Sequence, residues 1–186
     1  QLLYGKLLAS GAAGLKQDPV TALTWYRKAA EQGRPDAQFE LASALAAGRG
    51  TGINHVQALY WYLEAASRNH TEAQNNLGVI YTKGLGVEPD FRKAAKWYEQ
   101  AARQGHATAQ YNLGYMYLKG QGVDQDDIQA LALFRKSAAN GNPTAMRLLA
   151  EGYDKGWLGL PRDPRQSRYW LQLSQRPAGA SPVTPP

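Results

Sequence analysis

Apolar and small residues recur along the chain in steps of three and four, the spacing of one helix face. Ala109, Leu113, Met116, Tyr117 and Gly120 show it most plainly. The same face returns at a fixed interval: Ala37, Ala73, Ala109 and Ala145 are 36 residues apart, and Leu41, Leu77, Leu113 and Leu149 follow each by four. A small residue comes next (Ala42, Gly78, Gly114, Ala150), and a large one three further on (Leu45, Tyr81, Tyr117, Tyr153). A second pattern closes each interval: Trp25-Tyr26, Trp61-Tyr62 and Trp97-Tyr98, replaced once by Leu133-Phe134, each followed by Ala-Ala or Ser-Ala. Between the patterns lie glycines that tolerate the positive φ of a helix end, then Asp18, Asn54, Asp90 and Asp126, again 36 apart. The side-chain oxygens of those four can accept from first-turn amides. Pro19 and Pro164 stand where a helix has no amide hydrogen bond to lose. Gly33, Gly105 and Gly141, with Asn69 in the second unit, close the second helix.

Each interval thus predicts two antiparallel helices, and the repetition predicts an all-α array of five units, approximately 1–36, 37–72, 73–108, 109–144 and 145–176. These form a single domain over 1–176, followed by a Pro-rich tail at 177–186 whose composition is that of an extended, non-helical segment. The first and fifth units carry one extra loop residue, which brings Trp170 into register with Trp25. One helix pair cannot cover its own apolar face, so neighbours must stack. The recurring tryptophans are expected at those interfaces, with Trp97→Ala severely destabilising.

Composition adds exclusions. The chain has 186 residues, 44% of them apolar, enough for a real core. With no cysteine there is no disulfide scaffold, thiol nucleophile or thiolate metal site. The net charge of +6 is spread along the chain, and the aromatics recur at core phase, so no nucleic-acid partner is expected. No apolar run approaches the roughly 20 residues of a membrane span. His55, His70 and His106 fall at turns or helix starts, and Asp18, Asp90 and Asp126 at separate helix starts, where capping accounts for them. Gly84-Leu85-Gly86 and Gly120-Gln121-Gly122 are followed by no Lys-Ser or Lys-Thr and read as turns. No catalytic residue, cofactor or metal site is expected.

The third unit combines Ala73, Leu77, Gly78, Tyr81, Gly84, Gly86, Val87, Lys93, Ala94, Trp97, Tyr98, Ala101, Ala102 and Gly105. This pattern resembles the Sel1-like repeat, a relative of the tetratricopeptide repeat. The resemblance implies a right-handed α/α superhelical solenoid that is not an enzyme and binds another protein or a peptide. It also implies export, so a periplasmic or secreted location is suspected, with a cytoplasmic one open. The start at Gln1 inside an expected first helix suits a trimmed or mature exported chain. An immunity protein that grips a toxic effector enzyme is the alternative within the same class. A cell-wall-directed hydrolase is the less favoured third.

In related arrays the first helices line the concave side. Frame positions 3, 7 and 10 point away from the core phase at 100° per residue. The expected partner-binding strip is Phe39 in the second unit; Asn75 and Val79 in the third; Tyr111, Tyr115 and Leu118 in the fourth; Arg147 and Glu151 in the fifth. Tyr111 and Tyr115 form its expected centre, since tyrosine is a favoured interface anchor. Replacing both by alanine is expected to leave the melting curve nearly untouched.

Overall fold

The computed structural model describes residues 1–176, so the Pro-rich tail lies outside the described residues. Ten α-helices and no strand occur among them: an all-α repeat fold of five helix pairs. The described residues group into two compact units, one over Gln1–Asp90 and one beginning at Phe91.

The first unit holds α1 (Leu2–Ser10), α2 (Pro19–Ala30), α3 (Pro35–Ala47), α4 (His55–Ser67) and α5 (Thr71–Lys83). Its caps follow from the sequence. The Asp18 carboxylate accepts from the Thr21 N–H at 3.0 Å, and Asn54 Oδ1 from the Gln57 N–H at 3.0 Å. Hydrogen bonding by Thr21 holds the Asp18 carboxyl below its ordinary pKa. Gly50 has a second task besides its positive φ of 76°. A Cβ there would lie 2.2 Å from the Pro19 carbonyl oxygen, so only glycine lets this turn rest on the start of α2.

The second unit holds α6 (Phe91–Arg103), α7 (Ala107–Lys119), α8 (Asp127–Ala139), α9 (Pro143–Lys155) and α10 (Pro164–Ser174). Asp126 caps α8 through the Ile128 and Gln129 N–H groups, and Asp163 caps α10 through Arg165 and Gln166. Phe134, wholly buried, anchors a core cluster with Ala130, Ala145 and Leu149.

The extra loop residue has a structural counterpart. In the middle repeats the N–H of the cap donates to a carbonyl nine positions back: Asn54 to Leu45, Asp90 to Tyr81, Asp126 to Tyr117. In the outer repeats the reach is ten, from Asp18 to Leu8 and from Asp163 to Tyr153.

The tryptophan column departs from expectation. Tyr26, Tyr62, Tyr98 and Phe134 are 5%, 4%, 4% and 0% exposed, whereas Trp25, Trp61, Trp97 and Trp170 are only half-buried. The small-residue column explains which ring goes inside. A Cβ on Gly5 would meet the Tyr26 ring at 2.9 Å, and one on Gly114 the Phe134 ring at 2.9 Å. In these two repeats the small residue is therefore a seat for the second aromatic of the pair. The tryptophan covers the edge, as where Trp25 meets Tyr4 edge-on at 5.4 Å under the Lys28 ammonium.

Buried glutamines supply a further tie. Gln38, Gln74 and Gln110 each donate from Nε2 to the carbonyl eight residues back (Ala30, Ala66, Ala102), fastening a first helix to the end of the preceding second helix.

Candidate functional site

The expected strip divides between the two units. In the first, Phe39 is half-buried: its ring stacks on His70 at 4.7 Å and tilts against Tyr62 at 5.9 Å. Asn75 is buried, 8% exposed, with Oδ1 lacking a hydrogen-bond partner. Val79 is half-buried and lines a small cavity with Tyr62 and Ile80. These three do not form an open strip. For Phe39 the reason is that its helix is covered on more than one side: α3 packs against both α2 and α4. The buried arc is therefore wider than the single stripe assumed from the wheel.

In the second unit the strip is more open. Tyr111 tilts onto Phe134, ring centroids 5.6 Å apart, and is half-buried against the core cluster. Phe39 stands in the same relation to Tyr62, so an aromatic at position 3 packs on the buried ring of its own repeat. Tyr115, one turn along α7, is 43% exposed, with the Lys119 ammonium 5.7 Å from its ring centre. Leu118 is half-buried against the core cluster. Arg147 is exposed and reaches Thr144 Oγ1 at 3.4 Å. Glu151 is exposed but paired with Lys155 one turn on, which raises the lysine pKa and leaves that carboxylate less free to meet a partner.

Electrostatics tie three of these together. Burial raises the Tyr111 pKa most; the Tyr115 phenol raises it further, and the Arg147 guanidinium lowers it. Tyr115 and Arg147 thus both lie within electrostatic range of Tyr111. Their chemistry is recognition: ring faces for apolar or aromatic groups, phenols for hydrogen bonds, a guanidinium for carboxylates.

The histidines act in the backbone. His70 and His106 accept through Nδ1 from the Ala73 and Ala109 N–H groups at 3.3 and 3.1 Å, capping α5 and α7. No group of three metal-ligating side chains gathers among the described residues. No helix of the described residues is long and apolar enough to cross a membrane.

A polar cluster outside the expected strip lies in the first unit, Tyr26 with Glu40 and Arg49 around a cavity of about 370 Å³. Its signal was available: Glu40 and Arg49 stand where the next repeat has Asn76 and Leu85.

A family model described as Sel1 repeat matches residues 1–33, 35–70, 71–106, 107–142 and 143–174. These bounds start each later unit two residues ahead of the alanine column. Among solved structures, the chain resembles a protective antigen present in uropathogenic Escherichia coli strains that displays an SLR fold. The identity is 34% and the TM-score 0.86, over 93% of this chain and 37% of that one. This chain therefore spans little more than a third of that antigen. A Sel1 repeat protein from Oxalobacter formigenes gives 35% identity and a TM-score of 0.84, over 93% of this chain and 70% of that one. Helicobacter pylori cysteine rich protein B gives 27% and 0.58, over 72% and 96%. No curated protein matches the chain significantly.

Proposed function

The chain belongs to the Sel1 repeat family, whose members are generally protein-interaction modules on a scaffold that is typically non-enzymatic, and from that premise we propose that it binds a protein or peptide partner through Tyr111, Tyr115 and Arg147. The observation that carries this reading is the exposure of Tyr115 beside a half-buried, pre-positioned Tyr111. A ring already held by Phe134 loses little freedom on binding, and a rigid aromatic with a polar tip supplies contact area at low entropic cost. Arg147 adds a charge that selects for an acidic neighbour in the partner. Phe39, Asn75 and Val79, turned into packing in the first unit, are left out of this contact.

The test is affinity capture with the full chain from a lysate and envelope fraction of the source organism, with Tyr115→Ala as control. A protein retained by the wild type and lost with Tyr115→Ala supports the reading; one retained equally by both refutes the tyrosine surface. A captured toxic enzyme, inhibited in a one-to-one complex, would specify the immunity role. Fractionation tests the exported location that the family likeness suggests: recovery with the envelope or medium supports it, and recovery only with cytoplasm opposes it.

A further inference from the structure

The 36-residue period lets one place in the first unit be compared with its own copy. A cavity of about 370 Å³ lies among α1, α2, α3 and the turn after α3. One repeat further on, the equivalent place holds only about 180 Å³. Much of the wall corresponds: Ala9 with Ala46, Pro19 with His55, Ala22 with Ala58, Tyr26 with Tyr62. Three positions differ in kind. Ala44 replaces Ile80, which opens the space; Glu40 replaces Asn76 and Arg49 replaces Leu85, which bring charge to its walls.

Arg49 is held in place. It sits between Gly48 and Gly50, with φ of 67° and 76°, and its N–H donates to the Ala44 carbonyl at 2.9 Å. Its Nη2 donates to Ser43 Oγ at 2.8 Å, and among the described residues it has no carboxylate partner. Glu40 is already matched, by Lys6 at 2.8 Å. Burial chiefly, and Glu40 further, raise the Tyr26 phenol above its ordinary pKa against the pull of Arg49; like any phenol it is a donor at neutral pH. The rest of the wall is the methyl groups of Ala9, Ala22 and Ala44 together with Gln17, Pro19 and the backbone of Gly48 and Gly50.

We infer that this cavity binds a ligand with one carboxylate and a small aliphatic body, Arg49 supplying the charge partner and Tyr26 a neutral donor. A guanidinium fork matches a carboxylate in geometry and charge. Glu40 in the wall, paired with Lys6, opposes a dianion such as phosphate more than it opposes a monoanion. The alanines leave room for a chain of methyl-sized groups. Two sources share this chemistry, the free C-terminus of a peptide and a small organic acid. The inference does not rest on the Tyr111–Tyr115 surface.

The test is titration of the full chain, followed by NMR at the Arg49 Nε–H and the Ala44 amide. The probes are N-acetyl-Ala-Ala-Ala as the free acid, the same tripeptide as its C-terminal amide, and butyrate. The expected result is a saturable shift with the free acid and at least tenfold weaker binding of the amide, the scale of one charge-assisted hydrogen bond. Arg49→Gln should weaken the acid at least tenfold. Ala44→Ile, which restores the residue of the next repeat, should abolish the response without lowering the melting temperature. Butyrate binding as tightly as the tripeptide assigns the site to small acids; silent butyrate assigns it to a peptide end. Equal shifts from acid and amide, no saturable shift, or undiminished binding by Arg49→Gln would overturn the inference.

Discussion

Tyr111 and Tyr115 lie one turn apart on α7 yet should answer differently to alanine. Full burial of a large side chain is worth about 1.5–3 kcal/mol, and Tyr111 is half-buried, so about 1 kcal/mol is at stake from area. Its contact with Phe134, centroids 5.6 Å apart and tilted 46°, adds about 0.5–1.5 kcal/mol for an aromatic pair. Tyr111→Ala should therefore cost about 2 kcal/mol, while Tyr111→Phe, which keeps the ring, should cost little. Tyr115, 43% exposed, should lose clearly less, no more than about 1 kcal/mol from area. Urea denaturation of the full chain and both variants, followed by circular dichroism, measures the difference. This replaces the expectation that the double alanine variant melts like the wild type. If Tyr115→Ala destabilises as much as Tyr111→Ala, or if Tyr111→Ala is neutral, the division between support and contact surface is wrong. If it holds, Tyr115→Ala is the clean probe of partner binding.

Three further outcomes follow from the packing. Gly50→Ala should cost about 3 kcal/mol or more from left-handed φ and collision with Pro19. Gly14→Ala has a similar φ of 76° and nothing within 4 Å, so it should cost only about 1–2 kcal/mol; thermal melts that rank the two equally would contradict the close-approach argument. Phe134→Ala, at a wholly buried ring, should lose about 3–5 kcal/mol, and half-buried Trp97→Ala clearly less, as read from urea midpoints. Tyr26, Tyr62 and Tyr111 all have pKa values raised above 10.0, chiefly by burial. The unfolded phenols then ionise first, so stability is full below pH 10 and falls as pH rises through the folded values. Alkaline titration of the melting temperature checks this, and a rise in stability above pH 10 would reverse the sign.

The scaffold was legible because its causes are local and repeat. A cap residue, a small seat and an aromatic pair at fixed intervals each leave a mark in the sequence, and the longer outer loops return as ten-residue reaches from cap to carbonyl. Less legible was anything that depends on a neighbour. Trp97 and Tyr98 are adjacent and both recur, so periodicity cannot say which ring sits inside; that is decided by the seat across the helix pair, as Gly114 shows for Phe134. Phe39 looked outward on a single-helix wheel, but the wheel knows only one packing partner and α3 has two. Gln38, Gln74 and Gln110 recur as visibly as the alanines. Their role needed the distance to a carbonyl at the end of the preceding helix.

A periodic scaffold also supplies its own control, because each position has copies that do the structural task alone. Ile80 and Leu85 show what packing asks of the cavity wall, and Ala44 and Arg49 do not meet that demand. Exchanging an apolar wall for a larger void and a guanidinium lowers the contribution of that interface, since an empty apolar volume forfeits dispersion and transfer energy together. The same comparison applies to Tyr115, whose counterparts at the seventh frame position are Ser43, Val79 and Glu151; the scaffold tolerates all four, so it does not require an exposed ring. Where copies agree, the residue serves the fold. Where copies differ, as at Ala44 (Ile80, Met116, Gly152) and Arg49 (Leu85, Gln121, Trp157), the fold does not dictate the residue, and in the first unit a ligand that fills the volume and meets the charge accounts for the pair.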